Sequence, residues 1–131
     1  MVLDGKGLVA LLRPQVNEVD CATLHQRSLE NEALLVIDIR EVAETQAGYV
    51  AGSLLVPRGV LENKLANLPE YKSLLKTVPS AAQLPIYLLC RSGVRSIYAA
   101  VSLQQMGYQN VYSVAGGFLA WQAKGFEVTG E

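Results

Sequence analysis

An α/β domain on a mainly parallel sheet is the fold this sequence predicts, on three observations. Short β-branched runs alternate with stretches of helical spacing, the pattern of βαβ units. One run, Leu34-Leu35-Val36-Ile37-Asp38, is apolar until it ends in an acid, as a strand buried on both faces is. The chain has 131 residues, half apolar and 18% charged, which suits one domain with a single well-buried core.

The elements follow in order. A first short strand is expected near Val16-Asn17-Glu18-Val19, and Asp20 is a good N-cap for a helix reaching about Ser28. The apolar run at 34–38 is the central strand. Ser53-Leu54-Leu55-Val56 is another, cut short by Pro57. Between Gly59 and Val78 the spacing of Val60, Leu61, Leu65, Leu68, Tyr71, Leu74 and Leu75 is helical, and Pro69 divides it into two short helices. Ile86 to Leu89 is a strand, and a helix from about Val94 to Met106 ends at Gly107, a natural C′ residue. Asn110 to Val114 is the last clear strand. Gly116-Gly117 then opens a short helix through Ala123. Residues 1–14 read as an N-terminal extension, and the domain proper spans 15–131.

Composition narrows the function. A net charge of −1 supplies no global field toward nucleic acid or an acidic membrane surface. No run approaches the roughly 20 apolar residues of a membrane span, and the N-terminus does not read as a targeting segment. Two cysteines without short spacing imply neither a disulfide framework nor a metal site. A cytoplasmic, reducing location is expected.

The chemistry concentrates at Cys90. It ends the strand Ile86-Tyr87-Leu88-Leu89 and opens the turn Arg91-Ser92-Gly93-Val94-Arg95-Ser96, where the next helix begins. A cysteine so placed faces unpaired backbone N–H groups and the positive end of a helix dipole, which favour the nucleophilic thiolate. Arg91 and Arg95 act in the same direction. Gly93 permits a close backbone approach to a ligand, and successive N–H groups in such a turn form an anion-binding nest. The competing reading is an inert cysteine filling the core at a strand end. The two arginines and the glycine favour the pocket.

The stretch Cys90-Arg91-Ser92-Gly93-Val94-Arg95-Ser96 resembles the active-site loop of the rhodanese, or thiosulfate sulfurtransferase, family. Leu35 to Glu41, Gly48 to Ser53, and Gly107 to Trp121 are similar to the same family at the expected separations, so the likeness covers roughly residues 15–128. It implies a three-layer fold with five parallel strands in the order 3-2-4-5-1. It also implies a persulfide on Cys90, with residues 91–96 binding the substrate, and no cofactor or metal. The implied partners are small thiosulfate-like donors, thiol or cyanide acceptors and a sulfur-relay protein. Tyr49 departs from the family's usual histidine, and Ala51 and Glu127 replace frequent prolines.

Two other readings stay open. Cysteine phosphatases and arsenate reductases use a related cradle, but phosphatases place five residues between Cys and Arg. Here Ser96 holds that place and the arginine comes one residue earlier. A non-enzymatic persulfide carrier would share the loop and hold sulfur for a partner. Asp38, Arg40, Glu41 and Glu44 are expected to brace the loops beside the site, with an i,i+4 pair between Arg40 and Glu44 if a helix begins there. Asp38, Arg40 and Arg58 are the supporting candidates, the last as a third cation at the mouth. His25 is expected to be a half-buried or surface helix residue. Cys21 resolves Cys90 only if folding brings the two together.

Overall fold

The computed structural model describes residues 1–31 and 33–130; the end of the domain expected at 131 lies outside the described residues. The chain runs α1 (Gly5–Leu12), β1 (Asn17–Val19), α2 (Cys21–Glu30), β2 (Leu35–Asp38), α3 (Val42–Thr45), β3 (Tyr49–Val50) and β4 (Leu54–Leu55). It continues through α4 (Leu61–Lys64), α5 (Pro69–Leu74), β5 (Ile86–Leu89), α6 (Arg95–Gln105), β6 (Val111–Val114), α7 (Gly117–Ala123) and β7 (Val128–Thr129). Five strands form one sheet in the order β1-β6-β5-β2-β4, and all its pairs are parallel. Counted along the chain this is 3-2-4-5-1, the order the family resemblance implies.

Side-chain alternation makes three layers of it. In β5, Ile86 and Leu88 face one core, with Leu61 of α4, Tyr71 of α5 and Ile97 and Leu103 of α6. Tyr87 and Leu89 face the other core, with Leu24 of α2 and Phe118 and Trp121 of α7. A strand buried on both faces has no polar position, which is why β5 reads as an unbroken apolar run. Cys90 continues the first face, under α6.

Local signals set the helix ends. The Asp20 carboxylate accepts the Thr23 N–H at 2.8 Å at the start of α2. Pro69 is the first residue of α5, where its missing N–H costs nothing. The last strand of the main sheet in space, β4, is shorter than the expected 53–56. A second, antiparallel sheet pairs β3 with β7 in the register Tyr49↔Thr129 and was not expected. Each of its strands has two residues, too few to leave a period in the sequence.

The extension forms a helix. Asp4 caps α1 by accepting the Gly7 N–H at 2.8 Å, and Val9 is buried. The helix packs along α6, where the Tyr98 hydroxyl donates to Gly5 O at 3.2 Å.

Candidate active site

Strand β5 delivers Cys90 to the carboxyl edge of the sheet, where ligands of open α/β sheets bind. The turn 91–94 then reverses into α6. Cys90 is only 1% exposed and lies at the floor of this turn. The Gly93 N–H donates to its Sγ at 3.0 Å. This close approach needs a glycine: Gly93 has φ +94°, and a Cβ there would stand 3.0 Å from Gly116 N. The Ser96 hydroxyl lies 3.5 Å from the sulfur. Ser113 Oγ, on β6, lies 2.7 Å from Ser96 Oγ, and nothing in the sequence motifs pointed to it.

Helix α7 fixes the outer side of the turn. Its first free N–H groups are given to loop carbonyls: Phe118 N–H donates to Cys90 O at 2.9 Å and Leu119 N–H to Arg91 O at 3.1 Å. With those carbonyls turned toward α7, the loop can present N–H groups to the sulfur. Gly117, expected only to help open this helix, packs directly against the backbone of Cys90 and Arg91.

The arginines of the loop divide. Arg91 is exposed and lines a cleft of about 290 Å³ beside the loop, together with Arg40, Glu44, Phe118 and Leu119. Arg95 instead forms a two-pronged pair with Glu44, Nη1 to Oε2 at 2.8 Å and Nη2 to Oε1 at 2.7 Å. Hydrogen bonding from Arg95, followed by a backbone bond from Glu41, lowers the Glu44 carboxyl to about 2, against the opposing effect of burial. The same pair raises Arg95 further above its ordinary value. Ser92 and Val94 are exposed on the outer surface of the turn, and Ser96 is fully buried.

Asp38 and Arg40 lie beneath this pair and form a brace. Arg40 Nε and Nη2 donate to both Asp38 oxygens at 2.8 to 3.1 Å, and Nη2 also donates to Gly48 O at 3.0 Å. The Arg40 guanidinium covers the Phe118 ring at 3.9 Å, tying β2 to α7. The expected Arg40–Glu44 side-chain pair does not form. Arg40 reaches only the Glu44 backbone carbonyl at 3.4 Å, because the Glu44 carboxylate is held by Arg95. Arg58 is exposed and lies 5.2 Å over the Tyr98 ring on α6, outside the lining of the cleft.

His25 is half-buried and stacks on Phe126 at 4.0 Å, the structural place expected of it. Cys21 is buried under α7 with its thiol toward Gly117 O at 3.5 Å, and burial raises its pKa. It packs in the opposite core from Cys90. Tyr49, which departs from the family's usual histidine, pairs with Thr129 in the small ribbon and sets its ring against Gly130, just past β7. Among the described residues no cluster of three or more His, Cys, Asp or Glu can hold a metal, and no helix is long and apolar enough to cross a membrane.

Comparison with known proteins agrees with the geometry. The family model described as "Rhodanese-like domain" matches residues 21–124. A sulfurtransferase of Allochromatium vinosum is 31% identical over 86% of this chain and 94% of its own. The thiosulfate sulfurtransferase GlpE of Pseudoalteromonas translucida is 34% identical over 72% and 79%. Among solved structures, a rhodanese-related protein of Thermoplasma volcanium superposes with a TM-score of 0.68 at 27% identity, over 88% of this chain and 99% of that one. A Rhodopseudomonas palustris protein of unknown function, described as a possible tyrosine phosphatase, gives 0.78 at 25% identity over 98% and 96%. The parallel sheet in its 3-2-4-5-1 order, the Cys90 turn under α6 and these relatives converge: the chain belongs to the rhodanese-like sulfurtransferase family.

Proposed function

We propose that this protein transfers a sulfane sulfur through a persulfide on Cys90, taking it from thiosulfate or a similar donor. The observation that carries the reading is the sulfur at the floor of its turn, met by the Gly93 N–H and the Ser96 hydroxyl, with Arg91 exposed at the mouth. In the first step the Cys90 thiolate attacks the outer sulfur of thiosulfate. A new S–S bond forms, the donor's S–S bond breaks, and sulfite leaves with the electron pair. Arg91 attracts the dianion and offsets charge on the departing sulfite. In the second step cyanide or a thiolate attacks the terminal sulfur and the electron pair returns to Cys90 Sγ. Donors fixed before the reaction stabilise that charge without reorganisation. A thiolate needs no separate general base, which fits a chain with one histidine, stacked away from the site. A reducing compartment suits this nucleophile.

Phosphoryl or arsenate chemistry has weaker support. A guanidinium must fork onto the oxyanion above the sulfur, and Arg95 is already engaged by Glu44. Ser96, in the place of a phosphatase arginine, is fully buried. Intact-protein mass after brief exposure to thiosulfate tests the proposal. Wild type gains one sulfur atom and loses it on addition of cyanide, whereas Cys90→Ser gains none. Absence of uptake from thiosulfate, with uptake from a protein persulfide, would favour a carrier instead.

A further inference from the structure

The Cys90 sulfur is backed by two buried hydroxyls in series. Ser96, in the first turn of α6, lies 3.5 Å from Sγ, and Ser113 lies 2.7 Å behind Ser96. Both serines are 0% exposed. Ser113 pairs with Leu88 in the β5–β6 register. Leu88 and Cys90 are two apart on one strand path and share the α6 face. A serine on that face of β6 is therefore directed under α6 toward the same sulfur.

A proton count gives the chain its direction. Each hydroxyl has one hydrogen to donate and can accept in return. Among the described residues the two serines hydrogen-bond through these groups only to each other and to Sγ. With an anionic sulfur, Ser113 donates to Ser96, Ser96 donates to Sγ, and every hydrogen has an acceptor. If the sulfur were protonated and donated to Ser96, the series would end on a Ser113 hydrogen with no partner. If the hydroxyls kept their order, the S–H hydrogen would be the unpartnered one. A buried donor without an acceptor is costly.

We propose that Ser113 is a positioning residue for sulfur transfer: its hydroxyl donates to Ser96 Oγ and so commits the Ser96 hydrogen to the Cys90 sulfur. The inference rests on Cys90 being the nucleophile of the proposed reaction. Ser113 touches no substrate; it acts when charge sits on Sγ, before attack on the donor and again as the persulfide is discharged. Hydrogen bonds in series reinforce one another in a low-dielectric interior.

The test is the rate of iodoacetamide alkylation at Cys90, located by peptide mass to separate it from Cys21, followed from pH 4 to pH 10. Ser113→Ala should move the midpoint of that profile up by about 0.5–1 pH unit, the effect of one ordinary hydrogen bond, so that alkylation below it slows about three- to tenfold while the pH 10 rate is unchanged. Ser113→Thr, which keeps the hydroxyl, should recover most of the loss. In a Ser96→Ala background, Ser113→Ala should have no further effect, since it acts only through Ser96. An unmoved midpoint, equal slowing at every pH, or the same shift without Ser96 would each overturn the assignment. Persulfide formation from thiosulfate is scored separately by mass, so wild-type uptake with an unaltered Ser113→Ala profile would reject the relay and leave sulfur transfer standing.

Discussion

Arg95 follows Cys90 by five residues, yet its guanidinium binds Glu44, 51 positions away along the chain. The sequence presents Arg91 and Arg95 as equivalent cations, and only folding separates their work. Arg91 is open to the cleft; Arg95 and Glu44 tie the Cys90 turn to α3. Each is about one-third exposed, so the pair is partly screened. Its pH dependence has a definite sign. The Glu44 carboxyl is lowered from 4.5 to about 2 on folding. Between those values the unfolded chain holds the proton and the folded one does not, so the contribution is whole above pH 4.5 and is lost as pH falls to about 2. Urea titrations from pH 2 to 6 should show a shallower acid limb for Glu44→Gln, with a deficit of about 1–2 kcal/mol above pH 5 after allowance for screening. Parallel limbs for the two proteins would deny the pair that role.

Among the elements, α7 does most to shape the turn it does not contain. Its N-terminal N–H groups hold the carbonyls of Cys90 and Arg91, and Gly117 makes the approach possible. Gly117 has φ +55°, and a Cβ there would collide with Cys90 O and lie 2.7 Å from Arg91 O. No side-chain rotation relieves a clash between backbone atoms. Gly117→Ala should therefore destabilise the fold by about 2–4 kcal/mol and slow sulfur uptake at Cys90, read by thermal melting and by mass. A variant that melts and loads like wild type would show that α7 can withdraw without cost. The brace beneath is equally interlocked: Asp38 ends β2, Arg40 reaches from it to Gly48 O and covers Phe118. An acid ending a buried strand is legible in sequence. That its partner is Arg40, two residues on, depends on the bend after β2.

At the scale of the molecule, the family match begins at residue 21, and α1 lies before it. We read residues 1–14 as an addition to the core, joined through buried Val9 and the Tyr98–Gly5 hydrogen bond. Deleting them should reduce stability by about 1–3 kcal/mol, roughly the burial of one or two aliphatic side chains, and leave uptake of one sulfur at Cys90. Loss of uptake from a still-folded truncated chain would make α1 part of the site.

The sequence by itself determined the layered α/β fold, the strand that carries Cys90 and the tight turn after it. These are local signals: apolar runs of strand length, Asp20 and Gly107 at helix ends, and a cysteine-arginine-glycine turn before a helical period. Tertiary structure alone decided the β3–β7 ribbon, the Arg95–Glu44 pair in place of Arg40–Glu44, and Ser113 behind Ser96. Each joins residues far apart in the chain, or chooses between partners equally near in sequence. Those choices depend on which strand lies beside which in the parallel sheet, and no local periodicity carries that information.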